Sequence, residues 1–136
     1  MLIMILSPLN QGAGCMAPKV EFCYRLVIPK GEHVILEVAT LDVKKGQEEA
    51  FEAAFARAQT IISSMNGYIA HQLQKCMEDE SRYLLLVQWQ TLKDHTEGFR
   101  GSPEYQEWKR LLHHFYEPFP TVQHYELILG RPSVEG

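Results

Sequence analysis

The segment that most constrains the fold is an apolar run near the middle of the chain, where residues 83–89 read YLLLVQW. As a β-strand, this run would be apolar on both faces, whereas a strand with one wet face alternates apolar and polar residues. Helices of the same chain can cover only one side of a sheet. The run therefore predicts a central strand in a homodimer that packs sheet against sheet.

Periodicity in the rest of the chain supplies the other elements. Apolar and β-branched runs predict strands at 34–43, 68–77, 82–90 and 122–129. Three- and four-residue apolar steps predict helices at 47–65 and 92–99, and a third that begins at Ser102-Pro103. The order β-α-β-β-α-α-β predicts an α+β, ferredoxin-like fold with an antiparallel four-stranded sheet and helices on one face.

The chain length of 136 residues suits one domain, which we place at 34–129. Residues 1–33 carry turn-forming Pro and Gly without a sustained period, and are interpreted as an N-terminal appendage of uncertain role. Residues 130–136 form a Gly/Pro/Ser-containing tail.

Composition excludes two classes of partner. With 13 Lys and Arg against 17 Asp and Glu, the net charge is −4, and no basic stripe is present for nucleic acid or an anionic membrane. The apolar opening at residues 1–6 is too short to cross a bilayer. Three cysteines without a C-x-x-C motif favour reduced thiols and a cytoplasmic location.

No motif for a large cofactor is convincing, and we expect none. Six histidines are present, but no carboxylate or cysteine lies at a metal-ligand spacing from them, so no metal site is predicted either. His113 and His114 are explained by the C-terminal end of a helix, where an imidazolium is stabilised.

His95 lies where the third predicted strand leads into the helices, six residues after Trp89 and four before Phe99. An imidazole that titrates near neutrality beside an aromatic pocket is suited to remove a proton from an acidic hydroxyl. A histidine that only caps the strand-to-helix turn explains the position equally well. His95 is therefore a candidate catalytic base with a structural alternative.

Aromatic residues are spaced so that several meet between the sheet and the helices. They are core residues, or they form the walls of a flat slot for a small aromatic substrate. His71 and His124, on the second and fourth strands, point either into that slot or into the dimer interface. The candidate substrate-binding residues are Tyr68, His71, Trp89, Phe99, Trp108 and His124.

Residues 86–105, together with 122–125, resemble the antibiotic biosynthesis monooxygenase domain family, and the likeness extends over about residues 34–129. The resemblance implies a ferredoxin-like fold that dimerises as an α+β barrel. It also implies a cofactor-independent monooxygenase that oxidises a quinol or polycyclic phenol with dioxygen, with His95 as base and with Tyr68, Trp89 and His124 as donors or walls.

The family includes other activities, so the resemblance leaves alternatives open. In its haem-degrading branch, an Asn, a Trp and a His do the chemistry, and this chain has Ala39, Gly98 or Phe99, and Trp108 or Lys109 at those positions. Haem degradation is therefore not expected. A non-catalytic module that binds a hydrophobic small molecule, or serves in a stress response, is the alternative to an enzyme.

Overall fold

The computed structural model describes residues 34–130, and these form one antiparallel sheet with helices on one face. The strands are β1 (Ile35–Asp42), β2 (Tyr68–Lys75), β3 (Arg82–Trp89) and β4 (Thr121–Glu126). Their order across the sheet is β2-β3-β1-β4, so the predicted ferredoxin-like α+β fold is confirmed. Within one chain the sheet is open, with β2 and β4 at its edges.

Alternation along the two central strands determines which residues form the core. Ala39 and Leu41 of β1, together with Leu85 and Val87 of β3, are buried on the face that the helices cover. Glu37 occupies the same face, because it is two residues before Ala39, and it lies opposite Val87 on one side and His124 on the other. The β-sheet register thus brings a carboxylate into the apolar layer.

Two α-helices cover this face. Helix α1 (Glu48–Ile62) buries Phe51 and Phe55, and its first-turn glutamates suit the positive end of the helix dipole. Helix α2 (Pro103–Leu112) begins as predicted, because the Ser102 hydroxyl accepts a hydrogen bond of 3.1 Å from the Tyr105 amide and Pro103 follows it. A 3₁₀ turn (His113–Phe115) follows α2.

The short helix predicted at 92–99 is a π-helix, Asp94–Phe99. Its wider turn is seen in the hydrogen bond of 3.1 Å that the Arg100 amide donates to the carbonyl of His95, five residues earlier. Asp94 fixes the entry into this helix, since its carboxylate accepts from the amide and hydroxyl of Thr91. The turn buries His95 and Phe99 against the end of β3. π-helical turns are often found at functional sites.

Several elements are shorter than predicted. Helix α1 ends at Ile62 rather than at residue 65. Strand β4 ends at Glu126, and the side chains of residues 127–129, which were predicted to continue it, are exposed. The predicted 1–33 appendage and all but the first residue of the 130–136 tail lie outside the described residues. Among the helices described for residues 34–130, none has the length and apolar character needed to cross a membrane.

Candidate active site beneath the helices

A cavity of about 310 Å³ lies between the inner face of the sheet and the helices. This volume is within the range of roughly 300–1,000 Å³ that small-molecule sites occupy. Its aromatic walls are Phe99, Tyr105, Trp108, Tyr116 and Phe119. The polar and charged side chains that reach it are Glu37, His95, Arg100 and His113. The cavity is therefore largely aromatic, with a small number of groups capable of acid-base chemistry.

Glu37 is the buried acid of this cavity, with 5% of its surface exposed. Its Oε1 accepts a hydrogen bond of 2.8 Å from the indole nitrogen of Trp89. Burial disfavours the carboxylate and raises the pKa of Glu37 to about 7, although the Trp89 hydrogen bond and the charge of Arg100 partly oppose this effect. Near neutral pH both the acid and the carboxylate form of Glu37 are therefore populated.

His95 lies beside Glu37 and is 3% exposed. Its ring stacks on the Trp89 indole with 5.4 Å between centroids and 19° between planes, and its Nε2 is 3.5 Å from Glu37 Oε1. Burial, followed by the charges of Arg100 and His124, lowers the pKa of His95 to about 3. The imidazole is therefore neutral at physiological pH.

His124 completes a row of three titratable groups. A hydrogen bond of 2.8 Å joins its Nε2 to His95 Nδ1, so one ring donates and the other accepts. His124 is on edge strand β4 and is half-buried, in contrast to His95. Burial and the charge of Arg100 lower its pKa. The row runs from buried Glu37, through His95, to a partly solvated imidazole.

Arg100 is the cation of the site. It follows the π-helix, is exposed, and contributes to the lining of the cavity. Its charge lowers the pKa of Glu37, His95 and His124 alike, which places it within electrostatic range of the whole row. No described acidic side chain lies within 4.0 Å of its guanidinium to form an ion pair. Arg100 is thus available to an anion that enters the cavity.

The structure brings some of the predicted site residues together and separates others. His95, Phe99 and Trp108 line the cavity. Trp89 is fully buried and reaches the site through its hydrogen bond to Glu37, and His124 reaches it through His95.

Tyr68 and His71 are not among the cavity-lining residues. The Tyr68 hydroxyl bonds to His71 Nδ1 at 2.6 Å, and His71 Nε2 bonds to Gln59 Oε1 on α1 at 3.0 Å. These contacts tie the edge of the sheet to α1.

Glu37 and Arg100 were not predicted as site residues. The signal for Glu37 was present, because it occupies the alternating set that continues with Ala39 and Leu41, which lie on the inward face of β1. An acidic residue in such a set is buried and needs a partner. Within residues 34–130, no group of three or more His, Cys, Asp or Glu side chains is arranged to hold a metal ion.

Comparison with known proteins identifies a family. A family model described as antibiotic biosynthesis monooxygenase matches residues 34–111. The uncharacterized protein YczJ of Bacillus subtilis is 62% identical over 93 residues, which cover 68% of this chain and 98% of that protein.

Solved structures share the fold. One, from Bordetella bronchiseptica and named after the antibiotic biosynthesis monooxygenases, is 33% identical with a TM-score of 0.69, and the match covers 72% of this chain and all of that one. SnoaB of Streptomyces nogalater, a cofactor-independent oxygenase, is 17% identical with a TM-score of 0.56, covering 77% of this chain and 100% of SnoaB. At that identity SnoaB shows the fold alone.

Proposed function

Because the chain belongs to the antibiotic biosynthesis monooxygenase family, we propose that it is a cofactor-independent monooxygenase that oxidises a hydroxylated aromatic, a quinol or polycyclic phenol, with dioxygen. The observation that carries the proposal is the buried Glu37–His95 pair in the wall of an aromatic cavity. An aromatic cavity suits a flat substrate, and a buried base with a pKa near 7 suits removal of a phenolic proton.

The Glu37–His95 pair is the proposed proton acceptor. A base is most effective when its pKa is near the working pH, and the pKa of Glu37 is about 7 whereas that of His95 is about 3. Glu37 therefore takes up the phenolic proton, while His95 stays neutral with its Nε2 3.5 Å from Glu37 Oε1. This assignment extends the role predicted for His95 to the carboxylate beside it.

The chemistry balances without a further reactant. Glu37 takes the phenolic proton, and the electron-rich phenolate passes one electron to dioxygen to give a phenoxyl radical and superoxide. These combine at a ring carbon that bears hydrogen, and the proton held on Glu37 completes a hydroperoxide. Loss of water from the hydroperoxide leaves a quinone. One oxygen atom of dioxygen enters the product, and the other leaves as water.

Arg100 is the proposed counterion of the phenolate. Once Glu37 accepts the proton it becomes neutral, and the negative charge moves to the substrate oxygen. Arg100 reaches the cavity and has no acidic partner within 4.0 Å among the described residues, so its charge is available to that oxygen. A cation placed where charge develops stabilises an oxyanion.

Oxygen uptake tests this function. Purified protein is assayed with a panel of quinols, naphthols and polycyclic phenols, and quinone formation is followed with oxygen consumption, which should be equal in moles. Glu37→Gln keeps the shape of the side chain and its acceptor oxygen for Trp89 but removes the base, so kcat should fall by roughly 10²- to 10⁴-fold.

Glu52→Gln is the matched control. Glu52 also accepts a hydrogen bond from an aromatic side chain, the Tyr83 hydroxyl at 2.6 Å, but it is not among the cavity-lining residues. This variant should retain the wild-type rate. Ligand binding without oxygen uptake by the wild type would reject the monooxygenase and support a binding module instead. Uptake that survives Glu37→Gln would reject the assigned base.

We also propose that a second copy of the chain covers the outer face of the sheet. Leu36, Val38, Leu84 and Leu86 point away from the helices by the alternation of β1 and β3, and Leu84 is 37% exposed. Apolar residues of this kind in the centre of a sheet are typical of an interface. Light scattering should give a dimer for the wild type and a monomer for Leu86→Asp. Met77→Asp, at an exposed turn outside the strands, should stay dimeric.

A further inference from the structure

The row formed by Glu37, His95 and His124 does more than place a base in the cavity. Glu37 lies under the helices with only 5% of its surface exposed, and a substrate that fills the cavity would close its remaining access to water. Glu37 gives its proton back to the hydroperoxide in each turnover, but only an ionised Glu37 can begin one. A Glu37 that is protonated when the substrate arrives must therefore first release that proton to solvent. The two imidazoles lie between Glu37 and the edge of the sheet.

We propose that His95 and His124 form a path along which Glu37 exchanges its proton with solvent. Each imidazole has two nitrogens, one of which accepts a proton while the other releases one. His95 presents Nε2 to Glu37 at 3.5 Å and Nδ1 to His124 at 2.8 Å, so its two nitrogens face opposite neighbours. His124 is half-buried on an edge strand, so it is the member of the row with the most access to solvent.

The transfer conserves protons and charge. The O–H bond of Glu37 breaks as an N–H bond forms at His95 Nε2, and the proton on His95 Nδ1 passes to His124 Nε2. The proton on His124 Nδ1 then leaves to water. Both rings are neutral before and after the transfer, which agrees with the lowered pKa of each. Both rings also change tautomer, from Nδ1–H to Nε2–H, whenever Glu37 ionises.

The observed contacts are compatible with both arrangements, before and after the transfer. An ionised Glu37 accepts from the Trp89 indole and has His95 Nε2–H 3.5 Å from its Oε1, and His95 Nδ1 accepts from His124 Nε2–H. Other titratable groups also face this row, from the loop after the π-helix, from α2 and from the segment that follows it. These groups are Arg100, Tyr105, His113 and Tyr116. Arg100 lowers the pKa of all three members of the row and so favours the ionised form of Glu37.

Nitrogen NMR of histidine-labelled protein tests the path without a substrate. Across a pH series, the ring nitrogens of His95 and His124 should switch from Nδ1–H to Nε2–H with one midpoint. The same midpoint should appear in the carboxyl carbon signal of Glu37. In Glu37→Gln the coupled switch should be lost, because no group in the position of the carboxyl titrates.

His71 is an internal control in the same spectra. Gln59 Oε1 can only accept, so His71 Nε2 donates to it and Nδ1 accepts from the Tyr68 hydroxyl. His71 should therefore remain Nε2–H while Glu37 ionises.

The path would be overturned by tautomers of His95 and His124 that stay constant through the titration of Glu37, by an imidazolium in place of the switch, or by a switch that persists in Glu37→Gln. The role of the path in turnover rests on the proposed function, but experiments can reject the path and the function independently. A wild type that consumes no oxygen rejects the function and leaves the tautomer switch measurable. A missing switch in a protein that does consume oxygen rejects only the path.

Discussion

Two carboxylates at opposite ends of β3 accept hydrogen bonds from aromatic side chains of that strand. Glu37 accepts from the Trp89 indole at 2.8 Å, and Glu52 accepts from the Tyr83 hydroxyl at 2.6 Å. The aromatic donors are both nearly fully buried, yet the two acids differ in pKa. The pKa of Glu37 is raised to about 7, whereas that of Glu52 is lowered.

The environment of each acid explains the difference. Glu52 is on α1 with 45% of its side chain exposed, and hydrogen bonds from the Lys75 ammonium, 2.8 Å away, and from the Tyr83 hydroxyl stabilise its charged form. Glu37 has lost its water, and its contacts to Trp89 and His95 only partly replace it. The aromatic hydrogen bond lowers the pKa of both carboxyls, so it does not explain why the two shifts have opposite signs. The difference comes from burial, which outweighs the hydrogen bond at Glu37 and not at Glu52.

The largest difference in stability between the two ends of β3 should appear when each aromatic hydrogen-bond donor is removed. Trp89→Phe leaves a cavity and deprives buried Glu37 of its shortest hydrogen bond, so we expect a loss of about 2–4 kcal/mol in the free energy of unfolding. It should also raise the pKa of Glu37 further, because that hydrogen bond lowers it. Urea denaturation and carboxyl carbon NMR measure the two effects.

Tyr83→Phe is the counterpart at the other end of β3. Glu52 keeps Lys75 and water as partners, so the expected loss is about 0.5–1.5 kcal/mol. Equal losses of unfolding free energy in Trp89→Phe and Tyr83→Phe would contradict the contrast between buried Glu37 at one end of β3 and exposed Glu52 at the other.

The pH dependence of stability should have opposite signs for the two acids. A raised pKa means that the folded state binds the proton more tightly than the unfolded state does. The contribution of Glu37 to the free energy of unfolding is therefore full below the unfolded pKa of 4.5 and is lost as pH rises through about 7. As pH rises, Glu37→Gln should therefore become more stable relative to wild type. The change should be up to about 3 kcal/mol between about pH 4 and about pH 8.

Glu52→Gln should behave in the opposite way. The lowered pKa of Glu52 gives a contribution that is present above its unfolded pKa and is lost as pH falls, so the wild type should gain on this variant as pH rises. The lowered pKa of His95 gives a contribution to the free energy of unfolding that is present above its unfolded pKa. Wild type and both variants share this contribution, so it largely cancels when a variant is compared with wild type. A Glu37→Gln difference that is flat with pH would show that Glu37 is not shielded from water.

The sequence was sufficient to predict the element order, because each element has a clear period of its own. The apolar stripe of α1 and the Ser102-Pro103 start of α2 are local signals, and the structure contains both. His95 was predicted at the exit of the third strand, beside aromatic residues, and the structure buries it there against Trp89. Its role in catalysis stays a prediction.

The composition of the site was harder to predict, because it depends on which strands are neighbours. His71 and His124 were both assigned to strands, but their chemistry differs because β2 and β4 are at opposite edges of the sheet. Glu37 meets His124 only through the cross-strand register of β1 and β4. The raised pKa of Glu37 arises from burial by the helices that cover the sheet, which no local pattern shows.

The smallest effect on stability should come from the exposed ion pair between Lys75 and Glu52. Lys75→Met removes the cation that is 2.8 Å from Glu52, but both side chains are 45% exposed and the Tyr83 hydroxyl still donates to the carboxylate. Exposed pairs of this kind contribute little, so urea denaturation should show a loss of about 0.5 kcal/mol or less. Because salt screens exposed charges, the loss should disappear at about 1 M salt. A loss above about 1 kcal/mol that resists salt would mean that Glu52 is as dependent on its protein partners as Glu37, and that solvation does not separate the two acids.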